Sequence, residues 1–232
     1  HHHAAARFNL DQGFESYHEV GFESDGETDD GVAPSSAAQV TGRALSILAS
    51  AGARPFCLLV HYADPLPPWD LPEEVLDPSY VGPVEAGLSM RDLTRVSRDL
   101  RPEDRSALAR LHDASVAQVD SELGRLLEGL ELQGRMEDTY VCVVATSGLE
   151  LGDHGELGTA KRLYDELVHV PWVLAGPALA PTILEEAASL IDVTPTLLEL
   201  LGAEPLPIAD GAAVLPNRPL PERPGHGGNP EW

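Results

Sequence analysis

The chain has 232 residues, 43% of them hydrophobic and 23% charged, which is an ordinary composition for a globular protein with a sizeable core. Its 38 acidic residues against 15 basic ones give a formal net charge of −23, which argues against binding to nucleic acid or to an anionic membrane surface. Because the sequence contains no run of 18 apolar residues, it predicts no membrane span.

The two ends of the chain are set apart from the predicted domain. Residues 1–7 open with three histidines and three alanines and lack an apolar signal core, so they are either the remnant of a tag or a natural, disordered end. Residues 217–232 are rich in proline and glycine and are predicted to be a peripheral tail. The domain is therefore placed at residues 8–216.

The first predicted elements are a helix and a buried strand. Ser35 or Ser36 can cap a helix that runs to about Ala51, where Gly52 ends it. Residues 56–62 form a mostly apolar run, which predicts a strand buried on both faces. Residues 63–90 hold six prolines and are predicted to be irregular; such a long loop is usually functional, and a protein partner could bind there.

The second half alternates between helices and strands. A long amphipathic helix is predicted over residues 102–130, with a proline in its first turn. Strands are predicted over 139–146 and 168–175, followed by a helix over 183–201. This order predicts an α/β fold with a mostly parallel sheet sandwiched by helices. Both cysteines, Cys57 and Cys142, lie in predicted strands, which indicates buried, unreactive thiols.

Five motifs, in this order along the chain, resemble those of the sulfatase family of the alkaline-phosphatase superfamily. They are GFESY at 13–17, HYADPLPPWD at 61–70, DASVAQVDSELG at 113–124, LYDELVHVP at 163–171 and IDVTPTLL at 191–198. The resemblance implies a sulfatase-like α/β domain from which the N-terminal part of the family fold is missing. It also implies hydrolysis of a small sulfuric ester with the help of Ca²⁺.

Several residues on which that chemistry depends differ here. The family nucleophile is a formylglycine made from the Cys or Ser of a C/S-x-P-x-R motif, and no such motif occurs in the chain. The family's sulfate-contacting loop histidine is replaced by Leu66, which neither donates a hydrogen bond nor carries charge. The family's metal-binding Asp-His pair is expected at Gly148 and Leu149, where neither side chain can bind a metal.

One Asp-His pair follows a few residues later, and its role depends on the alignment. In one register Asp153-His154 corresponds to a later family motif and the metal pair is deleted; in the other, Asp153 and His154 are the metal pair displaced along the loop. Calcium binding is therefore expected to be weak or absent. Lys161, the only lysine of the chain, matches a family lysine that contacts the substrate, and is the candidate catalytic residue.

These observations leave three functional hypotheses. The chain is a sulfatase-like pseudoenzyme, a fragment of an active sulfatase whose nucleophile lies upstream or in a partner chain, or a binding and scaffolding protein. The compartment stays open, because family members are often exported but residues 1–7 show no signal segment.

Overall fold

The computed structural model describes residues 9–20, 36–96, 99–159, 162–185 and 188–216. Internal contacts divide the chain into two units, the first made of His1–Tyr140 with Ser147–His169 and the second of Val141–Thr146 with Val170–Trp232. The expectations for residues 1–7 and 217–232 fall outside the described residues. The single domain at 8–216 stays a prediction.

Helix α1 of the first unit, Ala37–Ala51, confirms the helix predicted after Ser36. The Ser36 N–H donates to Gln39 Oε1 at 3.2 Å, and Gly52 follows the helix with a positive φ of 59°, which suits glycine. The helix buries Ala44 and Leu48 against Leu126 and Leu130 of a later helix. Burial of this apolar stripe is what fixes α1 in place.

Two further helices carry the larger core cluster of the first unit. Helix α2 covers Met90–Val96, and helix α3 covers Pro102–Leu132, so the predicted long helix is confirmed and continues for two more residues. The cluster draws on α2, on α3, on the proline-rich segment 63–90 and on residue 157, and consists of Trp69, Val84, Leu93, Ala107, Leu108, Leu111 and Leu157. The predicted irregular loop is thus anchored in the core through Trp69 and Val84, both only 1% exposed.

The strand predicted at 56–62 is not formed, and its predicted burial on both faces is wrong. The segment has no regular secondary structure. Its alternate residues Phe56, Leu58 and Val60 pack against the α1–α3 cluster, while Leu59 is 72% exposed. Cys57 is exposed as well, contrary to the prediction, because its side chain belongs to the outer face of this segment.

A short hairpin completes the first unit together with one turn of helix. Strand β2 is Glu150–Leu151 and strand β3 is Leu157–Gly158, paired antiparallel with Glu150 opposite Gly158. Helix α4 is Asp165–Val168. Among the described residues of both units, no helix combines the length and hydropathy that a membrane span requires.

The second unit contains the other strand pair. Strand β1, Val141–Val144, pairs antiparallel with strand β4, Trp172–Ala175, with Val141 opposite Ala175. Both strand pairs in the described ranges are antiparallel, so the mostly parallel sheet is not confirmed. The reason lies at the strand ends: the Ala145 N–H donates to Pro171 O at 3.2 Å, so β4 starts beside the end of β1 and runs back along it.

The last helix is shorter than predicted. A 3₁₀ turn at Leu190–Asp192 precedes helix α5, Val193–Leu200, and no helix forms at 183–185. Asp192 is 1% exposed and accepts hydrogen bonds from Ser189 N and Ala212 N, both at 2.9 Å. This carboxylate caps the 3₁₀ turn, so helical structure begins here rather than at Ile183.

Candidate functional site

The glycine-rich acidic loop of the first unit starts with a close backbone contact. The Gly148 N–H donates to Leu167 O at 2.9 Å. A Cβ atom placed on Gly148 would overlap the carbonyl oxygen and carbon of Glu166, which belong to rigid backbone. In this arrangement position 148 accepts glycine alone, so the metal-binding aspartate that the family resemblance places there would not fit.

The β2–β3 hairpin then presents its tip to solvent. Glu150 lies on β2 with 2% exposure, while Asp153 and His154 lie in the turn between the strands. Gly152 adopts a positive φ of 97°, which lets the chain reverse direction. The Gly152 carbonyl accepts a hydrogen bond from Arg105 Nη1 of α3 at 3.2 Å, which ties the turn to the long helix.

Two carboxylates converge on one imidazole nitrogen at this hairpin. His154 Nδ1 lies 2.8 Å from Glu166 Oε1 and 3.6 Å from Glu150 Oε1. The His154 backbone N–H also donates to Glu150 Oε1 at 3.2 Å. One ligand atom from each of the three residues lies within 4.8 Å of the other two, so Glu150, His154 and Glu166 could hold a metal ion.

Solvent reaches the three side chains unequally. The side chain of Glu150 is 2% exposed, that of Glu166 is 32% exposed and that of His154 is 40% exposed. Glu166 Oε1 itself is sealed from solvent and makes no hydrogen bond of good geometry, although it lies within ion-pair distance of the imidazole. The Tyr164 ring stacks on His154, with centroids 3.6 Å apart and planes 14° from parallel, and this restrains the imidazole.

The cluster does not fit the calcium ion that the family resemblance implies. Ca²⁺ takes six to eight oxygen ligands in proteins. Here one ligand is nitrogen and only two carboxylates are present.

The structure brings together one of the residues that the sequence singled out for a metal. His154 joins the cluster, while the neighbouring Asp153 is exposed and outside it. Lys161 lies outside the described residues. Sequence reasoning missed Glu150 and Glu166; the only signals were the spacing of four between Glu150 and His154, and the glutamate in the LYDE turn.

Comparison with known proteins agrees with this architecture. The family model described as Sulfatase matches residues 5–203, so the chain belongs to the sulfatase family. Choline-sulfatase of Rhizobium meliloti (strain 1021) is 29% identical over 182 residues, which cover 70% of this chain and 35% of that protein. The multifunctional alkaline phosphatase superfamily protein PehA of Trinickia caryophylli is 37% identical over 105 residues, covering 44% and 20%.

Two solved structures share the fold of this chain. Phosphonate monoester hydrolase SpPMH from Silicibacter pomeroyi aligns with a TM-score of 0.61 and 23% identity, covering 89% of this chain and 47% of that one. The phosphonate monoester hydrolase of Agrobacterium radiobacter aligns with a TM-score of 0.60 and 24% identity, covering 75% and 40%. The chain thus spans about a third to a half of the length of the longer matches.

Proposed function

We propose that this chain is a sulfatase-family domain that does not hydrolyse sulfuric esters by itself. The observation that carries the proposal is the contact between Gly148 and the backbone of Glu166, which leaves no room for a metal-binding side chain at that position. A sulfatase without that ligand would hold its metal ion less tightly. That ion would balance the charge of the sulfate and the charge that develops as the ester bond breaks.

Two sequence features support the same conclusion. Leu66 stands where the family loop has its sulfate-contacting histidine, and a leucine cannot stabilise an anion. The 232 residues also contain no C/S-x-P-x-R motif from which a formylglycine nucleophile could be made. Loss at several positions required by one reaction favours a domain that is inactive alone.

A second candidate is that the chain is part of an active, metal-dependent sulfatase whose nucleophile lies outside these residues. The coverage of relatives favours this candidate, since the matched region is only 35% of the choline-sulfatase. In that case Lys161 would contact the leaving oxygen or the sulfate, as the family lysine does. Asp153 with His154 would then be the displaced metal pair.

Turnover assays test the first candidate. The purified chain would be incubated with a chromogenic aryl sulfate and, separately, a chromogenic phosphonate monoester, each with Ca²⁺, Mn²⁺ or Zn²⁺ and after chelation. We expect no turnover above the rate in buffer. Metal-dependent turnover that is lost in Lys161→Ala would overturn the proposal.

The second candidate is tested by the coding sequence upstream of Phe8. If it contains C/S-x-P-x-R, the longer chain carrying that segment should hydrolyse the aryl sulfate, and its Lys161→Ala variant should not. If the motif is absent, the nucleophile does not lie in an upstream segment. The candidate then requires a partner chain that carries the motif, and such a chain should co-purify with this one.

A further inference from the structure

We propose that Glu150, His154 and Glu166 form a binding site for a divalent transition metal, and that Zn²⁺ is the ion they suit. The site shares only His154 with the displaced calcium pair that the family resemblance implies, and its other two ligands, Glu150 and Glu166, are different residues. It does not depend on whether the chain is catalytically inactive, since the proposal concerns binding alone.

The two distances from His154 Nδ1 to the carboxylate oxygens are close to those in a tetrahedral site. Zinc binds imidazole nitrogen and carboxylate oxygen at about 2.0–2.2 Å, so neighbouring ligand atoms in a tetrahedral site lie roughly 3.4 Å apart. His154 Nδ1 is 3.6 Å from Glu150 Oε1 and 2.8 Å from Glu166 Oε1. One distance already matches, and the other needs only a small opening of the contact.

The burial of the carboxylates argues for a cation between them. Glu150 has a side chain that is 2% exposed, and it faces a backbone N–H and the His154 ring. Glu166 Oε1 is sealed from solvent without a well-formed hydrogen bond. Burying carboxylate oxygens is costly unless a positive charge compensates them, and an ion bound to both oxygens supplies that charge.

The three ligands are held in place by contacts outside the site. The hydrogen bond from Gly148 N to Leu167 O fixes the turn that carries Glu166. Arg105 of α3 fixes the hairpin tip through the Gly152 carbonyl, and Tyr164 restrains the His154 ring by stacking. Such supporting contacts raise affinity because the ligands lose little freedom when the metal binds.

The composition of the site selects the class of ion. Imidazole nitrogen and carboxylate oxygen are both zinc ligands and zinc needs only four ligands, whereas Ca²⁺ takes six to eight oxygen ligands. The His154 side chain is 40% exposed, so solvent reaches the site and a water can take the fourth position. The same geometry also fits a metal-free ion triad with a protonated imidazole, and the experiment separates the two.

Zinc titration of the full chain tests the proposal. Because His1, His2 and His3 could bind zinc themselves, every variant carries alanine at those three positions. Calorimetry with ZnCl₂ is performed on this parent and on the single variants Glu150→Gln, Glu166→Gln and His154→Gln. The matched control is Asp153→Asn, which removes an exposed carboxylate from the same turn. Circular dichroism confirms that each variant is folded, and CoCl₂ gives a visible spectrum that reports tetrahedral nitrogen and oxygen ligands.

We expect the parent to bind one Zn²⁺, and the Asp153→Asn control to bind it equally well. Loss of an outer-shell partner alone weakens metal sites by about 10–100-fold, so loss of a direct ligand should weaken zinc binding at least tenfold in each of the three variants. The proposal is overturned if the parent does not bind zinc, because the three side chains would then form only the metal-free ion triad. It is equally overturned if the three variants bind zinc as the parent does, or if Asp153→Asn alone abolishes binding.

Discussion

The buried carboxylate of Asp104 should be a main determinant of stability in the first unit. Asp104 lies in the first turn of α3 and is 1% exposed. Its oxygens accept hydrogen bonds from Tyr80 Oη at 2.8 Å, from Arg101 N at 2.9 Å, and from Arg101 Nε and Nη2 at 3.1 and 2.9 Å. Tyr80 Oη in turn accepts from Val84 N at 3.1 Å, which ties the proline-rich loop to the helix.

The cost of Asp104→Asn follows from counting these contacts. The two guanidinium bonds come from a side chain that is 54% exposed, and such contacts contribute little. The bonds from Tyr80 Oη and Arg101 N remain, and a hydrogen bond to a charged group contributes about 1.5–3 kcal/mol. An asparagine keeps one acceptor oxygen, so we expect the free energy of unfolding to fall by about 2–3 kcal/mol, and by about 3–5 kcal/mol in Asp104→Ala.

Urea unfolding measures this loss, followed by the fluorescence of Trp69 in the adjoining core cluster and by the helical dichroism. Trp172 and Trp232 are replaced by phenylalanine in all variants so that the fluorescence reports Trp69. Asp113→Asn is the control, because it makes the same charge change on α3 at a side chain that is 83% exposed, and it should cost less than about 0.5 kcal/mol. If Asp104→Asn costs no more than Asp113→Asn, the counting is wrong.

The same carboxylate predicts how stability depends on pH. Hydrogen bonds from Arg101 hold the pKa of Asp104 far below its usual range. A depressed pKa contributes stability that is complete above the unfolded-state value of about 3.9 and is lost as the pH falls towards the folded-state value. The difference between the parent and Asp104→Asn should therefore be constant from pH 7 to 5 and shrink below pH 4. A difference that grows on acidification would contradict the assignment.

Three further predictions rest on single positions. Gly148→Ala should lower the free energy of unfolding by more than about 2 kcal/mol, because its Cβ meets the backbone of Glu166; equal stability in a urea melt would refute the contact. Gly124→Ala, in the middle of α3 with open space around its Cβ, should raise the free energy of unfolding by about 0.5–1 kcal/mol. Destabilisation in the same melt would contradict the open space at this position. Cys57 is exposed while burial raises the pKa of Cys142, so a thiol reagent should modify Cys57 first, and Cys57→Ser should remove the fast phase of the reaction.

The sequence predicted those elements whose signals are local. Helix α1 has a serine before it and a glycine after it, and α3 has a proline in its first turn and a long apolar stripe. These signals act within a few residues of where they occur, so their effect on helix formation does not depend on contacts with distant segments. The family assignment was likewise confirmed, because it depends on residue identity alone.

What the sequence did not predict depends on contacts between distant segments. The run at 56–62 is apolar enough for a strand buried on both faces, yet within it only the alternate residues Phe56, Leu58 and Val60 pack against the hydrophobic cluster of α1 and α3. The antiparallel direction of β4 follows from where the chain re-enters beside Ala145, which no local pattern records. Glu150 was not recognised because its one signal in the sequence, the spacing of four to His154, does not distinguish a buried glutamate from the many exposed acidic residues of this chain.

The turn that carries Glu166 connects the proposed loss of one metal site to the proposed gain of another. Its backbone carbonyl occupies the space that a side chain at position 148 would need, and its carboxylate approaches His154. Glu166→Gln removes the carboxylate charge without moving the carbonyl, whereas Gly148→Ala forces the carbonyl to move without removing the charge. If one turn serves both purposes, Gly148→Ala should weaken zinc binding by displacing Glu166, while Glu166→Gln should weaken it without the stability loss of Gly148→Ala.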